Sequence, residues 1–239
     1  MAIVVFDVDD VIFPFKSVVV KTLNRRFGTK IRIEDYIEFS FISLLKRNHT
    51  ETYDMLEKNG SKLGHFKYIS DSGLLLSTPP ILGAIDAFKE LEESDFKIGI
   101  VTYRGTTEDP DMHYKDAPGI TTKWLQMYGL NFQAIRFTNK KAEALKQIEE
   151  ELDDRVVAFV EDHPANIIDV ANAGYNVIIQ NTTYNKRILP LDLYDPTAYG
   201  LGTFKNEDWF KVLDSELIYR TNLVQEVPLI VKKFISSKN

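Results

Sequence analysis

Along the chain, short apolar runs alternate with longer segments whose apolar residues recur every third or fourth position. Runs of the first kind occupy 1–6, 97–102, 132–137, 156–160 and 176–180. They are rich in Val, Ile and Phe, bounded by polar or turn residues, and of strand length. Segments of the second kind at 81–93, 120–128, 141–151 and 165–173 read as helices, with Gly129 and Gly174 where a helix-ending glycine belongs. Near-continuous apolar strands separated by amphipathic helices predict a parallel sheet covered on both faces, joined by right-handed crossovers. The expected fold class is α/β.

Residues 14–79 interrupt this alternation. Ser17 precedes a stretch in which Val19, Leu23 and Phe27 fall on one helical face and Gly28 ends it. Ile37, Phe41 and Leu44 share a second face, and 50–58 and 65–75 continue the helical pattern. Four short helices are expected here, a small helical cap inserted after the first strand, with Thr78-Pro79-Pro80 marking the return to the sheet. Residues 1–13 and 80–203 then form the core. Residues 204–239 read as one or two helices packed on its outside, a C-terminal helical extension. No internal repeat or low-complexity segment is present.

Composition narrows the setting. With 44% apolar and 27% charged residues, the 239-residue chain has the balance of a globular protein able to bury a core. The absence of cysteine excludes disulfides and thiolate metal sites and fits a cytoplasmic location. The longest apolar runs are strand-length, and the first enters an acidic motif directly, so neither a membrane helix nor a signal peptide is expected. A formal charge of -6 disfavours broad nucleic-acid affinity and hence a stable nucleic-acid complex. The four histidines have no spacing suited to zinc.

Chemistry-bearing residues sit where the apolar runs end. Asp7-Val8-Asp9 follows the first strand, Thr102 ends the second, Lys140-Lys141 opens a helix, and Glu161-Asp162 ends the strand at 156–160. In open α/β sheets the crevice outside the carboxyl ends of the strands is the ligand site. Carboxylates crowded there are costly unless a cation or a reacting group lies between them. Aspartate pair, threonine, lysine and acidic pair, in this order and context, resemble the haloacid dehalogenase-like superfamily of phosphohydrolases. The resemblance implies a Rossmann-like core. It also implies Asp7 as nucleophile forming an aspartyl-phosphate and Asp9 as general acid and base. Thr102 would donate to a phosphoryl oxygen, and Lys141, in the better motif match, would balance charge. A bare carboxylate repels a phosphate dianion, so Mg2+ is expected, held by Asp7, Asp162 and the backbone carbonyl of Asp9, with Glu161 orienting a metal-bound water. Asp10 reads as the cap of the following turn. Arg104 suits either phosphate binding or a structural ion pair.

Further details resemble the 5′(3′)-deoxyribonucleotidase group: Pro80-Ile81-Leu82-Gly83-Ala84, Thr102-Tyr103-Arg104, Glu161-Asp162-His163-Pro164 and Asn181-Thr182-Thr183-Tyr184-Asn185. The resemblance spans residues 1 to about 190, with Asp10 where that group has glycine. It implies a small-molecule phosphomonoester as partner, a (deoxy)nucleoside monophosphate, met by the cap. Aromatic residues Phe13, Phe15, Tyr36, Phe39 and Phe41 are concentrated there, and Phe15, just beyond the acidic motif, is the substrate-binding candidate. The stretches 104–110 and 122–125 are similar instead to the phosphatase domain of polynucleotide kinase, which removes 3′-phosphates from nucleic-acid ends. That reading ranks second, because those domains lack a large cap after the first motif. A sugar or metabolite phosphatase stays open. A non-catalytic binding module would not need both carboxylates of the first motif.

Overall fold

A computed structural model describes residues 1–36, 41–58, 73–104, 116–183, 185 and 216–236, and of 41–42 and 56–58 only the backbone. Strand β1 (Ala2–Phe6) leads through a tight loop into helix α1 (Phe15–Phe27), a 3₁₀ turn (Ile33–Asp35), α2 (Phe41–Asn48), α3 (Thr50–Lys58) and the single turn α4 (Leu74–Ser77). Regular alternation follows: α5 (Ala84–Glu93), β2 (Phe96–Thr102), α6 (Ala117–Met127), β3 (Ala134–Phe137), α7 (Lys141–Leu152), β4 (Arg155–Glu161), α8 (Pro164–Asn172) and β5 (Val177–Gln180). Strand β6 (Ile218–Thr221), a 3₁₀ turn (Val224–Glu226) and α9 (Val227–Ser236) complete the described elements.

The six strands form one parallel sheet in the order β3-β2-β1-β4-β5-β6. Its two faces bury separate apolar sets. Val4, Phe6, Ile98 and Val160 point toward Phe88 of α5, Trp124 of α6 and Val231 of α9, whereas Ile3, Val5, Phe159 and Ile179 meet Leu145 and Ile148 of α7 and Ile167 of α8. Period-two alternation of Val, Ile and Phe is thus buried on both sides, which is why the strands read as unbroken apolar runs. Val18, Val19, Leu23, Leu44, Leu45 and Leu75 join the first of these sets, so the helices of residues 14–79 share a continuous apolar core with the sheet. Among the described residues no helix is long and apolar enough to cross a membrane.

Three expectations need correction. Residues 204–239 are not wholly helical: Ile218–Thr221 adds to β5 as a parallel edge strand. Two of its four side chains face solvent, and that weakens the apolar signal a buried strand would give. Helix α1 starts at Phe15 with Pro14 before it, so Ser17 lies inside the helix and not at its cap. The N–H of Lys16 is accepted by the Asp10 carboxylate at 3.0 Å, the capping service expected of Ser17. Helix α6 begins earlier than 120, with Pro118 in its first turn where a missing N–H costs nothing. Ile37, Phe39, Tyr184, the stretch 105–110, the first part of 65–75 and the segment 186–215 lie outside the described residues.

Candidate active site

Strands β1 and β4 are neighbours, but the chain leaves them in opposite directions, toward β2 and β3 on one side and toward β5 and β6 on the other. This reversal opens the crevice in which α/β sheets hold ligands. Asp7 is the first residue past β1, its N–H donating to the Val160 carbonyl at 2.9 Å. Glu161 ends β4 and Asp162 follows. Carboxylate oxygens of Asp7, Glu161 and Asp162 all lie within 4.8 Å of one another, and all three residues are buried. The two acidic motifs, 154 positions apart at Asp7 and Glu161, are therefore brought together by sheet order alone.

Lys141 opens α7, the helix after β3, and its Nζ donates to Asp7 Oδ1 at 2.6 Å and to the Val101 carbonyl at 2.8 Å. It is 1% exposed. Lys140 is exposed, so the structure brings the second lysine of the pair to the acidic motif. Thr102, at the end of β2, is buried one residue beyond the carbonyl that holds Lys141, and its Oγ1 lies 3.5 Å from the Arg104 N–H. Asp7, Thr102, Lys141, Glu161 and Asp162 thus converge on one end of the sheet.

Asp9 stands slightly apart, about a third exposed, in an ion pair with buried Arg104. Arg104 Nε donates to both carboxylate oxygens at 3.0 Å, and Nη2 also reaches Oδ1. The guanidinium lies over the Phe13 ring, 4.2 Å from its centroid. A planar cation stacked on an aromatic face and forked onto a carboxylate is tightly fixed in orientation. Asp10 takes a left-handed conformation, φ 56°, caps the first turn of α1 and pairs with buried Lys16 at 3.5 Å. Phe15, half-buried at the start of α1, packs on the apolar core beside this loop.

The structure gives several residues supporting roles that the sequence did not assign to them. Glu161 accepts from the N–H groups of Asp162 and His163 and from Asn166 Nδ2, so its oxygens hold the turn after β4. Asn185 Nδ2 donates to the carbonyls of Asp162 and Gln180, while its Oδ1 accepts from the Thr182 N–H. Lys16 had a visible signal: it is the one charged residue in the run from Val11 to Val20. Trp124, within a stretch read as an end-repair feature, is a packing residue. Its Nε1 donates to the Thr78 carbonyl at 2.8 Å and its ring meets Phe13 edge-on.

Burial dominates the electrostatics. It pushes Asp7 up to about 7, against the pull of Lys141 and with the repulsion of Glu161 and Asp9 added. Burial, then Glu161 and Asp10, raises Asp162 well above the ordinary carboxylate range. Lys16 is lowered by burial, with Asp10 and Asp162 opposing. His163, at the start of α8, is lowered to about 3 by burial and then by Lys141 and Lys16. In all, the acidic groups Asp7, Asp9, Asp10, Glu161 and Asp162 outnumber the basic groups Lys16, Arg104 and Lys141 by two. Hard oxygen donors, close spacing, burial and this charge excess fit a divalent cation such as magnesium.

No protein-family model matches the chain. A curated Bacillus subtilis (strain 168) protein named "Putative nucleotidase YqfW" is 28% identical over 173 residues, covering 71% of this chain and 75% of that one. Among solved structures, a haloacid dehalogenase-like family hydrolase from Xanthomonas campestris superposes with a TM-score of 0.54 at 13% identity, covering 99% of this chain and 97% of that chain. A haloacid dehalogenase-superfamily hydrolase from Geobacter sulfurreducens gives 0.55 at 14%, covering 97% and 96%. The magnesium-bound "putative HAD-hydrolase YfnB" of Bacillus subtilis gives 0.54 at 16%, covering 97% and 98%.

Proposed function

The chain has the fold of the haloacid dehalogenase-like hydrolases, and from that premise we propose that it is a magnesium-dependent phosphomonoesterase acting on nucleoside monophosphates, deoxynucleotides foremost. The observation that carries the reading is the approach of Lys141 Nζ to Asp7 Oδ1, 2.6 Å, beside the buried carboxyls of Glu161 and Asp162. A buried carboxylate held by a fixed ammonium is poised as a nucleophile, and phosphoryl transfer asks chiefly for positioning and charge neutralisation.

In the proposed reaction Asp7 attacks phosphorus, the P–O bond to the leaving group breaks, and Asp9 gives a proton to the departing oxygen. Asp9 then takes a proton from the water that attacks the aspartyl-phosphate, and inorganic phosphate leaves with Asp7 restored. The Thr102 hydroxyl and Lys141 ammonium stabilise the phosphoryl oxygens. Arg104 keeps its fork on Asp9, which it orients, and its positive charge beside the site favours the entering phosphate. Magnesium, held by Asp7 and Asp162 with the Asp9 backbone carbonyl, would neutralise the phosphoryl charge. Glu161 keeps the turn that carries Asp162 in place.

A core of 1–13 and 80–203 would supply this chemistry and a cap of 14–79 the specificity, with Phe15 against the flat apolar end of the substrate. The relative named as a nucleotidase supports the nucleotide reading. A cytoplasmic location would place the enzyme beside its substrates. The test is phosphate release from deoxynucleoside monophosphates, a 3′-phosphorylated oligonucleotide and hexose phosphates at matched concentration. Preference for the mononucleotides is expected. Preference for the oligonucleotide would replace the reading with end repair, and preference for hexose phosphates with sugar metabolism.

A further inference from the structure

We infer that Asn185 is a positioning residue of the acidic centre: its side-chain amide fixes the backbone of Asp162 and thereby sets how tightly the centre holds a divalent cation. The inference rests on the reading of that centre as a cation site. Asn185 is 3% exposed, and both ends of its amide are engaged. Nδ2 donates to the Asp162 carbonyl at 2.8 Å and to the Gln180 carbonyl at 2.9 Å, while Oδ1 accepts from the Thr182 N–H at 2.8 Å. Two acceptors face the NH2 end and one donor faces the oxygen, so the amide fits in one orientation only.

Sheet register explains why an amide is needed there. Strands β4 and β5 pair as far as Glu161 and Ile179, and their ladder stops. The next two residues, Asp162 and Gln180, are the ones whose carbonyls Asn185 bridges, so one side chain replaces a link the strands no longer make. On its other side the Asp162 N–H donates to Glu161 Oε1 at 2.9 Å. Both main-chain polar groups of Asp162 are therefore held, and with them the Cα from which its carboxylate projects. One carboxylate oxygen from each of Asp7, Glu161 and Asp162 lies within 4.8 Å of the others, and like charges so close would separate on a loose turn. A ligand cluster held in place binds a cation without the cost of ordering it first. The three side-chain bonds of Asn185 all go to main-chain groups, so it acts through Asp162 and not on the phosphate.

Calorimetric titration of magnesium into the full chain, with no substrate present, tests this. Asn185→Leu keeps the size of the side chain and removes both donors, and should weaken magnesium binding about 10–100-fold, the scale for losing a group that holds a metal ligand in place. Asn185→Ser leaves one short hydroxyl donor, should weaken binding by less, and decides the matter if Asn185→Leu does not fold. Gly83→Ala separates positioning from general stability. It strains the backbone at φ +85°, in a segment that supplies no group to the centre, and should lower the melting temperature with magnesium affinity unchanged. Unaltered affinity in the folded Asn185 variant, or an equal weakening by Gly83→Ala, overturns the inference. Absence of magnesium binding to the unaltered protein would instead overturn the reading on which it rests.

Discussion

Lys141 Nζ sits 2.6 Å from Asp7 Oδ1 across 134 residues of chain, and both are buried. Parallel pairing of β1, β2 and β3 sets this distance, because α7 begins where β3 delivers it. Asp7→Asn should keep the fold and lose turnover by several orders of magnitude, since the carboxylate is the nucleophile of the proposed reaction. Lys141→Met should lower kcat/KM about 10²–10³-fold, the scale for removing one preorganised charge from a transition state. Steady-state kinetics with an aryl phosphate, beside circular dichroism, measure both. Appreciable turnover by Asp7→Asn refutes the mechanism.

The fork of Arg104 on Asp9 gives a second expectation. Asp9→Asn should be impaired most for alkyl phosphates, whose leaving oxygen needs the proton, and least for aryl phosphates. Arg104→Gln should raise KM and lower kcat together, because it loses both the orientation of Asp9 and a positive charge beside the phosphate. Equal losses of Asp9→Asn on the two substrate classes would count against the acid role.

Deleting the helices of 14–79 would strip Val18, Leu23 and Leu44 from the core they share with the sheet, so a point variant is the better probe of specificity. Phe15→Ala should leave aryl-phosphate turnover within a few-fold while weakening nucleotides about 5- to 100-fold in kcat/KM, given about 1–3 kcal/mol for a base stacked on an aromatic ring. Equal effects on nucleotide and aryl phosphate would remove Phe15 from the substrate site.

His163 supplies a pH dependence of stability. Its folded value of about 3 lies below the ordinary 6.5, so below pH 6.5 the unfolded chain binds a proton that the folded protein refuses. Stability attributable to His163 is complete above pH 6.5 and is lost as pH falls toward 3, about 2–3 kcal/mol by pH 4.5. Asp7, raised to about 7, works the other way over part of that range, so the difference between proteins is what isolates the histidine. Denaturant midpoints in chelator at pH 7.5 and 4.5 should show a smaller acid loss for His163→Gln than for the unaltered protein. Parallel losses would mean that His163 is not buried in neutral form.

Gly83 offers a check on the packing behind the site. It has φ +85°, and a Cβ there would fall 2.8 Å from Gln225 Cβ. Gly83→Ala should destabilise by about 1–3 kcal/mol with kinetics unchanged, as measured by denaturant unfolding. An unshifted midpoint would place Gln225 elsewhere.

Much of this was legible in the sequence because both sheet faces are buried. Ile3 and Val5 serve one face and Val4 and Phe6 the other, so β1 announces itself as an unbroken apolar run ending at Asp7. The edge strand Ile218–Thr221 was not legible, since Tyr219 and Arg220 face outward and its partner is chosen by the open edge of β5. Ser17 lost its capping role for a local reason: α1 starts at Phe15 behind Pro14, three residues earlier than a cap at Ser17 would set it, and the left-handed turn at Asp10 brings its carboxylate to the Lys16 N–H. The partners of Arg104 and Lys16 were opaque in a different way, because neither Asp9 beside Arg104 nor Asp10 beside Lys16 is marked by a periodic pattern.

That edge strand bears on when the protein becomes competent during its own synthesis. Arg220 of β6 donates to Asn181 Oδ1 at 2.9 Å and to the Asn185 carbonyl at 3.0 Å, and Asn185 in turn holds the Asp162 carbonyl. A nascent chain that has already emerged past Asn185 carries every acidic and basic group of the centre, yet lacks the Arg220 contacts that brace Asn185 from outside. Glu161 holds the turn after β4 with partners from its own segment, and β6 adds only the Arg220 contacts to Asn181 and Asn185. The acidic centre is thus encoded in full before the strand that supplies its outermost brace.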